Sequence, residues 1–337
     1  MKAMRQNVVL VDYDSNQHEE TRFINALNRN GSGTWIVKRK VTNNLHGGIV
    51  KNFLRFMWYF LFPLSIVLKR HNYNKIVGWQ QFYGLNVAFF SRLLHLKKTN
   101  EIYVMTFIYK KKNGLAGSIY HKYMNYVVTS KYIDKFICFA KEEVEYYNSI
   151  FGVNENKFVY MPLGLEPVKG IDVSDEGYVF AAGRSNRNYD FLIDVLSGSR
   201  IETKIVCDTY HNGKTGGNIK IYNDCHGDSM LRLMAKSHIV AIPLDNVQIS
   251  SGQLVVLQAM ALGKPVICTA SKGTNDYVVN NVTGFLIKNE KDIWLSKIEA
   301  LYKDEKLYNE ISIAAKSLFN ERFTDEIMYR NIAELVG

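Results

Sequence analysis

Two short stretches carry the residues best suited to chemistry. In the first, Ser250, Ser251 and Gly252 form a polar, glycine-bearing turn that opens an apolar stretch over Gln253–Leu262. Read as a turn feeding a helix, it directs the backbone N–H groups of Gly252, Gln253, Leu254 and Val255 outward from a helix start. The helix dipole favours negative charge at the same point, so this is an anion site. Gly263 stops the helix, as glycine does just past a C-terminus. Gln258, inside it, offers an amide that both donates and accepts. The second stretch, Gly183-Arg184-Ser185-Asn186-Arg187, is an arginine-bearing turn ahead of a helix expected over Asp190–Leu196. A guanidinium presents a planar fork of donors that matches phosphate oxygens in pairs.

Other chemistries find little support. Cys138, Cys207, Cys225 and Cys268 are far apart and form no C-x-x-C; buried free thiols in a reducing compartment are expected. No metal is expected: pairing Asp208 with Asp224 or Asp228 would be forced. No G-x-G-x-x-G follows the first strand, which argues against a dinucleotide cofactor there. Among the histidines only His46, beside Gly47 and Gly48, is tempting, and a lone histidine is more often a surface or structural residue.

The elements that must position these stretches read as α/β. In the first half, strands are expected at Asn7–Val11, Thr34–Val41, Lys75–Val77, Glu101–Thr106, Lys135–Phe139 and Lys157–Met161. Helices alternate with them at Asp14–Asn30, Leu85–Leu96, Ile119–Val128 and Lys141–Ile150, with Asp14 or Ser15 as first cap and Gly31-Ser32-Gly33 as terminator. Ligands of open parallel sheets gather beyond the strand C-termini, which marks Trp79–Gly84 and Thr106–Gly114, with Lys110-Lys111-Lys112. Pro162–Glu176 is the best linker. The second half restarts with strands at Tyr178–Ala182, Lys204–Cys207, Ile219–Tyr222, Ile239–Ile242 and Pro265–Thr269, and a helix at Met230–Lys236. A second polar turn at Ser271–Asn275, a short helix up to Asn280-Asn281 and a strand at Phe285–Ile287 follow. Ser317–Val336 is an amphipathic tail.

Lys51–Arg70 is the oddest segment. Its apolar run of roughly 17 residues holds Arg55 and Pro63, too short and too charged to span a bilayer, which takes about 20 apolar residues. It reads either as a helix buried in the domain or as an aromatic, basic-flanked helix resting in a membrane interface.

Gln258-Ala259-Met260-Ala261-Leu262-Gly263-Lys264-Pro265-Val266-Ile267 and Asn281-Val282-Thr283-Gly284-Phe285-Leu286 resemble the nucleotide-sugar site of GT-B glycosyltransferases of family 4. Phe158–Pro167 and His238–Leu244 resemble further segments of that family. The resemblance implies two Rossmann-like domains with parallel sheets facing across a cleft: residues 1–165 on the acceptor side, 166–316 binding the donor, and a helix at 317–337 packing back on the first. It implies metal-independent retaining transfer with no cofactor, Gly183-Arg184 meeting the donor diphosphate, and Ser251 to Leu254 its anion loop. Tyr189 falls near the position where the family adds a lysine to the diphosphate, and Arg187 either stands in for it or forms a structural salt bridge. Where the family has two glutamates, for the transferred sugar and the ribose, this chain has Ser250 and Gln258.

The formal charge of +10 is uneven: 23 Lys/Arg face 10 Asp/Glu through Leu165, and 19 face 22 beyond it. A basic first half suits an anionic partner, whether acidic phospholipid, lipid pyrophosphate or nucleic acid, or else carries solvated lysines with no partner. No nucleic-acid-binding signature appears. MKAMRQNVVL is too short and too soon polar for a signal peptide. The expectation is a cytoplasmic glycosyltransferase, peripheral at the inner membrane face. It moves a sugar from a nucleotide-sugar donor to a saccharide or lipid-pyrophosphate-linked acceptor in surface polysaccharide synthesis. A non-catalytic scaffold of the same fold is the alternative that the missing glutamates favour; a sugar-nucleotide epimerase, whose chemistry wants carboxylates near the sugar, fits less well.

Overall fold

A computed structural model describes residues 5–14, 18–30, 33–42, 44–45, 47–211 and 217–337. The expected cap Ser15, the terminators Gly31 and Ser32, and His46 lie outside the described residues. The chain forms two compact units, 1–161 with 329–337, and 162–328.

The first unit alternates β1 (Gln6–Val11), α1 (His18–Asn30), β2 (Trp35–Arg39), α2 (Ile49–Leu68), β3 (Tyr73–Gly78), α3 (Gln81–Leu93), β4 (Glu101–Val104), α4 (Gly114–Val128), β5 (Lys135–Cys138), α5 (Lys141–Phe151) and β6 (Phe158–Tyr160). The strands pair in parallel in the order β2-β1-β3-β4-β5-β6. Val8, Val9, Leu10 and Val11 are all buried, as a parallel sheet covered on both faces requires. The chain reverses its direction of travel across the sheet between β1 and β3, so the loops after those strands diverge at their carboxyl ends.

Pro63 explains how α2 is fixed. It lies inside the helix and has no N–H to give the carbonyl of Tyr59, four residues earlier. Buried Asn86 of α3 supplies the missing donor, Nδ2 to Tyr59 O at 2.8 Å, and accepts from Tyr123 Oη of α4 at 2.8 Å. One amide thus ties three helices together. Tyr59, Pro63, Ile66 and Val67 are buried, while Ile49, Val50, Phe53 and Phe56 stand in solvent. The helix is therefore neither wholly buried nor free, and no helix among the described residues is long and apolar enough to cross a membrane.

The second unit contains β7 (Val179–Ala182), α6 (Tyr189–Leu196), β8 (Thr203–Val206), β9 (Ile219–Tyr222), α7 (Asp228–Ala235), β10 (Ile239–Ile242), α8 (Gln253–Ala261), β11 (Val266–Thr269), β12 (Phe285–Ile287), α9 (Lys291–Lys303) and α10 (Glu305–Arg322). Its sheet is also all parallel, in the order β12-β11-β10-β7-β8-β9. The chain leaves β7 toward β9 and returns to the other side at β10, which puts the reversal between those two strands. All four cysteines are free and buried, and burial pushes the Cys268 thiol up to about 12.

Two expectations need correction. The short helix before Asn280 is a run of turns. The tail at Ser317–Val336 is not one helix: α10 ends at Arg322 and α11 (Asp325–Val336) begins afresh. The break comes from pairing, because Leu165 N–H donates to Phe323 O at 2.9 Å and Asp325 N–H donates to Leu165 O at 2.9 Å. That strand-like bridge between Leu165 and Thr324 is incompatible with a continuing helix.

Candidate functional site

The reversal point of the second sheet gathers both chemistry-bearing stretches. The Gly183–Asn188 turn follows β7, and the Asp245–Gly252 loop follows β10, the neighbouring strand. Ligands of open α/β sheets bind at such a point.

The β10 loop meets α8 at Gly252, whose φ of 95° is a left-handed conformation that suits glycine. That geometry turns the chain so that the first N–H groups of α8 face out of the helix start, as the sequence implies. Ser250 Oγ accepts from Gln253 Nε2 at 2.5 Å. Gly273, in the turn after β11, lies so close that a Cβ there would come within 2.3 Å of Ser251 N and O. Behind it, buried Thr274 Oγ1 donates to Thr269 O at 2.8 Å. Thr269 Oγ1 also accepts from Leu244 N–H at 2.8 Å, anchoring the end of β10.

A side chain joins the two stretches. Asn186, at φ 57°, donates from Nδ2 to Ser251 Oγ at 2.7 Å and to Asn246 O at 2.9 Å, and its Oδ1 accepts from Asn246 N at 2.8 Å. Sequence reasoning missed this residue; its only signal was an asparagine, the residue most tolerant of left-handed backbone after glycine, in the middle of a turn.

The two arginines differ. Arg184 is exposed and forms an ion pair with Asp208 at 2.6 Å. Arg187 folds back under the turn, donating from Nε to Ala182 O at 3.0 Å and from Nη1 to Ser185 O at 2.9 Å. Its Nη2 lies against Gly183, where a Cβ would sit 2.6 Å away. Burial pulls its pKa below the ordinary arginine value. Arg187 is thus a brace for the turn as well as a cation beneath it. Tyr189 Oη donates to Gly183 O at 2.6 Å and closes the same turn. Gln258 lies on α8 with Oε1 buried and unpartnered. Among the described residues no group of three His, Cys, Asp or Glu stands together in a way that could hold a metal ion.

The first unit has its own reversal point. There Gln80 caps α3, accepting from Phe82 N at 3.0 Å, and donates to Asp12 Oδ2 at 3.1 Å. Of the turn expected over Trp79–Gly84 only Trp79 and Gln80 lie ahead of the helix, because α3 already begins at Gln81, and Asp12 joins them from just past the end of β1. Thr106, after β4, has φ 51°, a strained value for a β-branched residue, at the same edge.

Two parallel six-stranded sheets, each with its candidate loops at a reversal point, define the GT-B class of glycosyltransferase. Residues 152–318 match the family "Glycosyl transferases group 1". The chain is a group 1 glycosyltransferase, of the kind also numbered family 4. No curated protein matches the sequence. Among solved structures it is similar to Anabaena HepE in complex with UDP-glucose, at TM-score 0.69 and 15% identity over 99% of each chain. It is similar to the sucrose-phosphate synthase of Thermosynechococcus elongatus, at TM-score 0.72 and 13% identity over 98% of each. A third is WaaG, a glycosyltransferase involved in lipopolysaccharide biosynthesis, at TM-score 0.65 and 12% identity over 98% of this chain and 99% of that one.

Proposed function

We propose that the chain transfers a sugar from a nucleoside-diphosphate sugar, with retention and without a metal, to a saccharide or lipid-pyrophosphate-linked acceptor in surface polysaccharide assembly. One observation carries the donor assignment: Asn186 joins the arginine turn to the Ser250–Gly252 helix start at the reversal point of the second sheet. The UDP-glucose held by HepE and the lipopolysaccharide role of WaaG support the substrate class.

The bond between the anomeric carbon and the diphosphate breaks while the acceptor oxygen bonds to the same carbon from the leaving-group face. The acceptor proton passes to the departing phosphate oxygen, so no protein base is required. Charge builds on that phosphate, and fixed donors there lower the barrier most. Arg184 and the N–H groups of Gly252 to Val255 supply them, with Arg187 adding its charge from below. Arg184 exchanges Asp208 for phosphate on binding. Ser250 offers a hydroxyl to the sugar, and Gln258 its amide to the ribose once the side chain turns toward the ligand. Acceptor recognition falls to the first unit at Asp12, at Trp79–Gly84, where the chain enters α3, and at Thr106–Gly114, working at the inner face of a membrane.

A second reading, a non-catalytic scaffold, draws on Ser250 and Gln258: one hydroxyl is already held by Gln253 and one amide oxygen points inward. A screen of UDP-, GDP- and dTDP-sugars for binding and slow hydrolysis separates the two. One donor turned over by the parent in the presence of EDTA, and lost in Arg184→Ala, supports transfer. A folded protein that binds none of them at about millimolar concentration, where even weak sites fill, sinks it and favours the scaffold.

A further inference from the structure

We infer that the first turns of α2, with the loop after β4 and the start of α4, form a face that docks the first unit onto an anionic lipid bilayer. This goes beyond a lipid-linked acceptor by naming the surface and its partner, and it rests on the proposed function only for its purpose.

The geometry comes first. Tyr59 is held at the carboxyl edge of the first sheet, its ring stacked on Phe82 with centroids 5.2 Å apart and its hydroxyl accepting from Gln80 Nε2 at 3.4 Å. The ten residues ahead of Tyr59, Ile49 to Trp58, therefore extend α2 about 15 Å from that contact, at 1.5 Å per residue. Along them Ile49, Phe53 and Phe56 share one helical stripe and are 90%, 68% and 52% exposed. Soluble proteins do not ordinarily leave such a stripe in water.

A second apolar group stands at the same edge. Ile108, Leu115 and Ile119, from the loop after β4 and the start of α4, are 62%, 80% and 61% exposed, and the lysines at 110, 111 and 112 between them are exposed too. Phe60 and Tyr123, with ring centroids 6.4 Å apart, join α2 to α4 below.

Charge selects the partner. Residues 40–131 contain 14 Lys/Arg and a single acid, Glu101. An acidic surface is the complement of that field, and exposed phenylalanines beside lysines suit the boundary where lipid phosphates meet acyl chains. The hydrophobic side chains enter the interface while the lysines meet head groups. With no crossing helix among the described residues, attachment through this face is reversible. The docked edge is the one at which a parallel sheet gathers ligands, so a lipid-held acceptor reaches it without leaving the membrane.

Sedimentation of the full chain with vesicles tests this, comparing pure phosphatidylcholine with vesicles in which about a third is phosphatidylglycerol. The parent is expected to bind the anionic vesicles preferentially. Phe53→Ser/Phe56→Ser and, separately, Lys110→Gln/Lys111→Gln/Lys112→Gln should each weaken binding about tenfold or more. Donor hydrolysis without vesicles and the melting temperature should be unchanged in the phenylalanine variant. A parent that ignores anionic vesicles, or a phenylalanine variant that binds as well as the parent, overturns the inference. So does light scattering that finds a dimer dispersed by the phenylalanine changes, since a second copy would then cover the stripe. Loss of donor turnover with vesicle binding intact would count against the proposed function alone.

Discussion

Asn186 reaches Ser251 across 65 positions of sequence, Nδ2 to Oγ at 2.7 Å, and this bond links the loops after β7 and β10. Its left-handed φ of 57° makes Asn186→Gly the informative substitution, because glycine keeps the backbone and removes only the amide. The loops should lose their register. Donor affinity is expected to fall about tenfold, with a small change in melting temperature, since hydrogen bonds near a surface contribute only about 0.5–1.5 kcal/mol each. Calorimetric titration with the donor checks it; unchanged affinity would mean that the bond is incidental to the site.

Gly273 sets the height of the same loop. A methyl group there would press on the Ser251 backbone at 2.3 Å, and backbone on both sides leaves nowhere for it to go. Gly273→Ala is expected to abolish donor binding while leaving the first unit's vesicle binding intact. Gly252→Ala should act more mildly. The space around Gly252 accepts a Cβ at 3.4 Å, and the left-handed φ costs roughly 1–2 kcal/mol. Equal losses in the two variants would show that strain, not displacement of Ser251, is the cause.

The alternation of strand and helix was legible because the core strands are short apolar runs bounded by turn residues. The donor loop was legible because Gly252 and Gly263 bracket an apolar helix on the sequence itself. What escaped depends on distant partners. Around Phe323 the apolar spacing runs on and hides the break, although Thr324 ahead of Asp325-Glu326 is a helix-start signal that went unused; Leu165 makes the break from more than 150 residues away. α9 and the first part of α10 went unread, their apolar residues falling in short clusters between charged ones. Arg187 looked like a second phosphate ligand, yet its spacing from Gly183 also lets it brace its own turn, which only the fold reveals. Asp12 gave no sign of standing beside Gln80.

Asn86 illustrates a stability effect with the same long-range origin. It answers the carbonyl that Pro63 leaves unpaired and accepts from Tyr123. Asn86→Leu strands both groups in a buried place, and an unsatisfied buried polar group costs about 1–3 kcal/mol. Denaturation should find the variant destabilised by at least that much. Pro63→Ala in the same background restores an N–H for Tyr59 O and should recover part of the loss. If the second change recovers nothing, the amide's role lies elsewhere.

Lys157 gives the fold a measurable pH dependence. Its Nζ donates to the carbonyls of Ser130, at 2.9 Å, and Ile133, and burial brings its pKa from 10.5 down to about 8, against the opposing charge of Asp134 and with smaller help from Lys98 and Lys135. At pH below 8 the lysine is charged in both the folded and unfolded chain, and the folded state bears the cost of its desolvation. Between 8 and 10.5 the folded state has shed the proton and the unfolded state still holds it, so stability rises with pH across that window. The raised tyrosines, Tyr83 and Tyr103 among them, oppose this only near pH 10 and above, where the unfolded chain begins to ionise them. Chemical denaturation of the parent and Lys157→Met from about pH 7.5 to 9.5 isolates the effect, because methionine does not titrate. The stability of the parent relative to the variant should climb steadily over that range. A flat difference would mean that Lys157 keeps an ordinary pKa in the fold, the two carbonyls having offset the cost of its burial.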